Sequence, residues 1–450
     1  MTRVRELSRR EFLKRAAMGG LAMATGAVAG SSLFSNRVAA AGLTAGRDIQ
    51  PLWQAGSRRN KIVVVSDLHL GIDDVFAETV HNRELFVEFL QKLQQTTDVR
   101  ELVIAGDFLD EWFLPLDYGP VNDLEKFFFQ VAKNNQSVID ALNDVMNSGI
   151  KLVYVIGNHD MNMDEGILGR LLPGIIEIYD AKGLGRYITG DRGEIVIEHC
   201  HRYDPYSAPD RVSNRELCKS DATMYPPGYF YARMGTSWVM EHKPKIKKNY
   251  PVLKKVPDST NTDQMGAYVY AKILEGLFNR ITEKSGFEDK IFTLNTCGFH
   301  GSYSLKDMYP VEQPDGTISA PVLFRNFQRS WDERQEMNDV WVKIPFLEAG
   351  AGAVSPKYFY SCAGKQYLDC QDASYDVVVF GHTHVPDFQQ KGKKFYVNAG
   401  TWVDNNSDYP PATRTFVVVE TGAVDNAVLY EYREDGSLND LSLQVGSALL

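Results

Sequence analysis

The sequence predicts an α/β fold with a largely parallel sheet at its centre, and three observations carry the prediction. Four short apolar, β-branched runs each stop abruptly at Asp, Asn or His. Stretches of helical periodicity lie between the first three runs, and alternating strand and helix implies crossovers between parallel strands. The tail, from Lys394 to Tyr432, breaks into short strand-like pieces (KKFYV, RTFVVVE, AVLYEY) joined by turn residues, which predicts a second, more antiparallel sheet.

The runs are Lys61 to Ser66 (KIVVVS), Glu101 to Ala105 (ELVIA), Lys151 to Ile156 (KLVYVI) and Asp376 to Phe380 (DVVVF). Continuous apolar runs of this length read as strands buried on both faces. They lead into Asp67-Leu68-His69, Gly106-Asp107-Phe108-Leu109-Asp110, Gly157-Asn158-His159-Asp160 and Gly381-His382-Thr383-His384. A fifth run, Glu194 to Glu198 (EIVIE), ends at His199-Cys200-His201. Open α/β sheets place their ligands at the carboxyl ends of strands, and imidazole is the commonest metal ligand among side chains. Six of the nine histidines fall in these short clusters, a concentration that scattered core histidines would not show. The helical stretches are Phe76 to Gln95 and Val121 to Met146; Met265 to Ile281 repeats the pattern further on.

Residues 1–41 read as an address. Ser8-Arg9-Arg10-Glu11-Phe12-Leu13-Lys14 matches the twin-arginine export pattern, Ala16 to Phe34 is a modestly apolar Gly/Ala-rich segment, and Ala39, Ala40 and Ala41 offer a cleavage site. Retention as an anchor is the alternative. A periplasmic or secreted location and the twin-arginine export machinery as a partner follow from the export reading. The whole chain has 48 Lys/Arg against 58 Asp/Glu. Leaving out residues 1–41 removes seven bases and two acids, so the rest carries 41 against 56, a net of −15. Such an acidic balance argues against a long nucleic-acid backbone as the main partner. Five scattered cysteines are too few for a disulfide framework, with Cys362 and Cys370 the pair to watch.

Taken together, the blocks resemble the calcineurin-like metallophosphoesterase family: Asp-x-His, Gly-Asp-x-x-Asp, Gly-Asn-His-Asp, a strand-end His and Gly-His-x-His occur in that order, over residues 61 to about 205 and 376 to about 405. The resemblance implies two packed mixed β-sheets flanked by helices, a four-layer αββα sandwich, over 42–450, with a long insertion or cap at about 206–375. It implies two divalent metal ions; the mixed oxygen and imidazole donors suit Mn, Fe or Zn. Carried over residue by residue, Asp67, His69 and His384 serve one ion, Asn158, His199 and His382 the other, and Asp107 bridges. His201 is the alternative to His199. His159 faces the leaving oxygen as general acid or charge stabiliser, with Asp160 holding its tautomer. Asp110 either fixes a ligand or caps a turn, and Asn398 is read as structural.

Asp67-Leu-His69-Leu-Gly71, Gly106-Asp-Phe-Leu-Asp110-Glu-Trp112 and His201-Arg-Tyr-Asp204-Pro resemble the branch containing UDP-2,3-diacylglucosamine hydrolases. That branch has Arg where this chain has His159 and works at the cytosolic membrane surface, so the chemistry is kept and the named substrate is not. The expected activity is hydrolysis of a small phosphate mono- or diester by metal-bound hydroxide. A non-catalytic, metal-stabilised envelope protein and a nuclease are the alternatives. Within the insertion, Pro226 to Tyr231 reads as aromatic and turn-rich, and Tyr229 to Met240 as a segment that could rest on a membrane surface.

Overall fold

The computed structural model describes residues 59–180, 182–244, 250–278, 285–370 and 375–448. The expected export signal at 1–41 lies outside them. In chain order the strands are β1 (Lys61–Val65), β2 (Val99–Ala105), β3 (Lys151–Val155), β4 (Ile176–Ile178), β5 (Tyr187–Thr189), β6 (Ile195–Glu198), β7 (Phe292–Leu294), β8 (Gly301–Tyr303), β9 (Val311–Glu312), β10 (Ile318–Ser319), β11 (Val377–Phe380), β12 (Asp387–Lys391), β13 (Lys394–Asn398), β14 (Thr415–Glu420), β15 (Asn426–Tyr432) and β16 (Leu438–Asp440).

The chain forms two compact units. One comprises 59–111, Asp123–His201 and 359–448; the other comprises Trp112–Asn122 and Arg202–Tyr358. The first holds a seven-stranded sheet in the order β16-β15-β14-β1-β2-β3-β4 and a five-stranded sheet in the order β12-β13-β11-β6-β5. Strands β1 to β4 are parallel, and β14 adds antiparallel to the free edge of β1. In the smaller sheet β11 runs parallel to both β6 and β13.

Alternate residues of the β-branched runs fill the space between the sheets. Ile62, Val64, Val103 and Val153 of one sheet share a buried cluster with Ile195, Ile197, Val377 and Val379 of the other. Each fully buried valine contributes about 1.5–3 kcal/mol, so a polar residue at Val64 or Val379 would strike the tightest part of the fold. Helices cover the outer faces. Phe89, on helix His81–Leu93, lies 4.8 Å from Phe416 of the larger sheet, and Tyr360, on helix Pro356–Ala363, lies 5.4 Å from Tyr396 of the smaller one. The result is the four-layer α/β sandwich of two mixed sheets.

Several local expectations need correction. The tail does not make a sheet of its own: β13 joins the smaller sheet, while β14 and β15 extend the larger. Alternation in a strand tells which face is buried, not which free edge it will find. The Phe76 to Gln95 helix starts only at His81, because the Asp404 carboxylate accepts the amides of Val80, His81 and Asn82 at 3.0, 3.1 and 2.8 Å. The Val121 to Met146 stretch is two helices, Leu124–Asn134 and Gln136–Asn147, broken at Asn135, whose side-chain amide donates to Gly71 O and Val131 O.

In the second unit, Pro226 to Tyr231 is the start of helix Pro227–Met240 rather than a turn. Proline is well tolerated in the first turn of a helix, and the aromatic residues are buried: Phe230 packs against Phe292, Phe299 and Phe324. Of the segment Tyr229 to Met240, residues Tyr229 to Trp238 are buried and Met240 is exposed. Among the described residues no helix is long and apolar enough to cross a membrane. None of the five cysteines is in a disulfide, Cys362 and Cys370 included.

Candidate metal centre

The strand-end residues sit where the backbone is forced into an unusual turn. Asp67 and His69 after β1, Asp107 after β2, and His382 and His384 after β11 all have positive φ, from 45° to 70°. Each costs on the order of 1–3 kcal/mol for a residue with a side chain and persists only where the surroundings over-determine it. Here the loops hold one another: Asp67 N donates to Gly106 O at 3.1 Å and His69 N to Asp107 O at 2.9 Å. Two motif glycines are needed for clearance. A Cβ on Gly106, which has φ +89°, would run into the His199 ring, and one on Gly157 would overlap the amide and Oδ1 of Asp107.

Three groups converge first. His384 Nε2 lies 2.9 Å from Asp67 Oδ1 and 2.8 Å from His69 Nε2. Three more converge beside them, with Asn158 Oδ1 at 3.0 Å from His199 Nε2 and 2.9 Å from His382 Nδ1. Asp107 lies between the sets: its Oδ2 is 3.6 Å from His69 Nε2 and 3.2 Å from His199 Nε2. That oxygen is buried and accepts no hydrogen bond among the described residues. Asp67 is braced by Ser66 Oγ, at 2.6 Å, and the His382 amide, at 2.8 Å, both on Oδ2.

His159 and Asp160 divide differently from the expectation. Asp160 does not meet the His159 ring; its carboxylate accepts the amides of Phe108 and Gly157, both at 2.7 Å, and so ties two motif loops together. Asp110 takes the orienting place instead, with Oδ2 at 2.7 Å from His159 Nδ1 and 2.6 Å from His69 Nδ1. Asp110 is therefore the residue that fixes imidazoles, the first of its two readings. His199 stands among the clustered groups with its Nδ1 on Ala105 O at 2.8 Å, whereas His201 turns its Nε2 to Gly183 O at 3.0 Å. Asn398 braces the motif loop, donating to Gly381 O at 2.7 Å and accepting from Gly400 N at 3.0 Å.

Sequence reading missed Ser66, Glu111, Thr401 and Asn406. Glu111 N donates to His159 O at 2.9 Å, Thr401 Oγ1 to Asp67 O at 2.8 Å and Asn406 Nδ2 to His384 O at 2.9 Å. Glu111, Thr401 and Asn406 carry no local mark, since their partners lie far along the chain; Ser66 bonds its neighbour Asp67, but a serine ending a strand does not by itself reveal that role.

Charge at the site is tightly coupled. Burial pushes the Asp67 carboxyl up, but the charges of His384 and His199 more than reverse this and hold it well below the usual carboxylate range. Burial likewise pushes His199 down, and Asp107 and Asp67 overcome it, raising the ring to about 9. The His201 ring is driven down by burial and by the neighbouring imidazoles. Burial and the Asp107 charge push Asp160 up to about 6.

Among the described residues, three groups of side chains present ligand atoms within 4.8 Å of one another: Asp67, His69 and His384; Asp67, Asp107 and His199; and His69, Asp110 and His159. The first two fit a divalent ion. His384 Nε2, 2.8 Å from His69 Nε2 and 2.9 Å from Asp67 Oδ1, brings three donor atoms close enough together to meet one cation. The Asp107 Oδ2, buried between two imidazole nitrogens at 3.6 and 3.2 Å, offers lone pairs that a shared cation could use.

A model of the calcineurin-like phosphoesterase family matches residues 60–386. No curated protein sequence matches the chain. Solved structures similar to it include Vacuolar Protein Sorting 29 from Cryptosporidium parvum (13% identity, TM-score 0.27, 85% of this chain and 95% of that one) and a dimetal phosphatase from Danio rerio (10%, 0.30, 83% and 95%). Phosphopantetheinyl hydrolase from Mycobacterium tuberculosis is similar at 11% identity and a TM-score of 0.23, over 78% of this chain and 91% of that one. At TM-scores this far below 0.5 these likenesses carry no argument. The family match spans most of the chain and agrees with His/Asp clusters able to hold metal, so the chain belongs to the calcineurin-like phosphoesterase family and is a metal-dependent phosphoric ester hydrolase.

Proposed function

We propose that the protein is an exported phosphoesterase working with two divalent ions, Mn, Fe or Zn, on a small phosphorylated substrate. Asp67, His69 and His384 would hold one ion and Asn158, His199 and His382 the other, with Asp107 shared between them. The observation that carries this reading is Asp107 Oδ2, buried between His69 Nε2 and His199 Nε2 at 3.6 and 3.2 Å and accepting no hydrogen bond among the described residues. Such a carboxylate oxygen is costly to bury unless a cation meets it.

When bound, a pair of ions supplies an activated water and neutralises charge on the phosphoryl oxygens. The chain's own residues do the rest. Asp110 holds the His159 ring by Nδ1, which leaves Nε2 as the atom to hand a proton to the leaving oxygen or to place charge beside it. Asp160 fixes the loop that presents His159 by accepting two of its neighbours' amides. Export rests on the Ser8 to Lys14 pattern, and the long insertion is assigned the choice of substrate because ordered insertions of that size are generally functional.

The test is a screen of nucleotide, sugar, lipid and aryl phosphate mono- and diesters with metal-reconstituted protein, alongside metal analysis. Release that falls in His159→Ala while two equivalents of metal stay bound is expected. No release from any ester, or one equivalent of metal per chain, would end the reading. Arg9→Lys with Arg10→Lys should abolish export.

A further inference from the structure

Two of the strained residues in the first half of the site are held from one loop, which runs from 399 to 414 between β13 and β14. Asp67 and His384 have φ of 55° and 57°. The Asp67 carbonyl accepts Thr401 Oγ1 at 2.8 Å and Trp402 N at 3.3 Å, and the His384 carbonyl accepts Asn406 Nδ2 at 2.9 Å. The loop can hold them because it is itself knitted together and anchored. Asn406 also donates to Ala412 O at 2.8 Å and accepts Tyr409 N at 3.1 Å. Thr413 Oγ1 donates to Val403 O and Thr415 Oγ1 to Ala399 O, both at 2.6 Å. Trp402 is fully buried, its ring 4.8 Å from Phe86 and 5.2 Å from Phe89 of helix His81–Leu93.

A bond to the carbonyl matters at these two positions for a conformational reason. A residue with a side chain at positive φ relaxes toward negative φ unless its surroundings prevent it. That rotation would swing the Cβ, and with it the ligand atom, away from the cluster. Asp67 is clamped on both sides, its amide on Gly106 O and its carbonyl on Thr401 and Trp402. In the other half the restraints come from elsewhere: the His199 ring meets Ala105 O, and the His382 amide donates to Asp67 Oδ2. We propose that Thr401 and Asn406 are positioning residues for one metal site only. By holding Asp67 and His384 in the left-handed conformation, they set the affinity of the ion that those two residues share with His69. This rests on the assignment of two ions to the site.

The experiment removes each ion in turn and asks whether the one that remains feels Thr401. Zinc-loaded full-length protein is titrated with a chromophoric chelator, and its thermal unfolding is recorded alongside. His382→Ala should leave the ion on Asp67, His69 and His384, and His384→Ala should leave the other. Added to His382→Ala, Thr401→Val should weaken zinc binding by on the order of tenfold, the lower end of what loss of an orienting partner costs. Added to His384→Ala, it should leave the affinity unchanged. Thr401→Ser, which keeps the hydroxyl, should restore the loss. Asn406→Ala should give the same selective weakening through His384, and serves if Thr401→Val does not fold. A hydroxyl or amide that merely satisfies a buried carbonyl would lower Tm without choosing between the ions. Weakening as large with His384→Ala, or none with His382→Ala, therefore overturns the inference while the two-ion assignment stands. If His382→Ala and His384→Ala do not each retain one ion, that assignment fails and the inference with it.

Discussion

In the half of the site formed by Asp67, His69 and His384, a side chain orients the imidazole: Asp110 Oδ2 meets His69 Nδ1 at 2.6 Å. In the half formed by Asn158, His199 and His382 the main chain does it, with Ala105 O meeting His199 Nδ1 at 2.8 Å. The first half also contributes the Asp67 carboxylate, where the second contributes the neutral Asn158 amide. Negative charge is therefore concentrated on one side, and on the proposed two-ion assignment an ion there should be held more tightly than its neighbour. The contrast also separates what mutation can reach. A carboxylate that orients a ligand can be replaced; a strand-end carbonyl cannot.

Replacing the shared residue should erase the difference with the largest effect. Asp107→Asn is expected to release metal from both halves and to reduce activity by more than the on-the-order-of 10²–10³-fold that one preorganised electrostatic contact is worth, as metal analysis and ester hydrolysis would show. Retention of two tightly held ions in this variant would break the comparison at its root. Next comes Asp110→Asn, which should weaken metal affinity by about 10–100-fold on the His69 side alone. Stepwise chelation then reads which ion leaves first, and in the variant the order should reverse or the two steps merge.

The pH response is smaller and both halves contribute: against burial, hydrogen bonds to Asp110 and Asp67 hold the His69 ring well above its ordinary value, and His199 is raised as well. In metal-free protein the His199 ring is raised to about 9 by Asp107 and Asp67 against the opposing effect of burial, from an ordinary value of 6.5. A raised imidazole contributes stability that is complete below its unfolded value and lost as pH rises through its folded one. The Tm of metal-free protein should fall between about pH 6.5 and 9, and His199→Gln should flatten that fall. Metal-loaded protein, whose ligating rings must be unprotonated, should not share it. The smallest effect leaves both halves intact: Asp404→Ala removes the cap of helix His81–Leu93 and should cost about 0.5–2 kcal/mol in thermal unfolding, with metal content unchanged.

The residues that converge were legible because their chemistry is local. An apolar β-branched run that stops at Asp or His identifies a strand and its functional end in one pattern, and Asp67, Asp107, Asn158 and His384 were all found that way. The choice between Asp110 and Asp160 was not. Asp160 is next to His159 in sequence, yet the carboxylate that reaches the ring belongs to Asp110, 49 positions away, because the turn after β3 sends the Asp160 side chain back onto the amides of Gly157 and Phe108. The same limit hid Asp404 and Glu111, each of which bonds a distant stretch of chain. It also hid helix Pro227–Met240, whose aromatic residues suggested turns until their burial partners were in place.

By itself, then, the sequence determined the strands, the two-sided burial of their apolar runs and the identity of the groups at their ends, since those depend on periodicity and residue chemistry. Only the tertiary structure decided the rest. It placed β14 and β15 on the edge of the larger sheet, chose His199 over His201 for the cluster, and gave Asp110 the orientation of two imidazoles. These are choices among chemically equivalent neighbours, and they are settled by which backbone carbonyl, amide or free edge another part of the chain brings within about 3 Å.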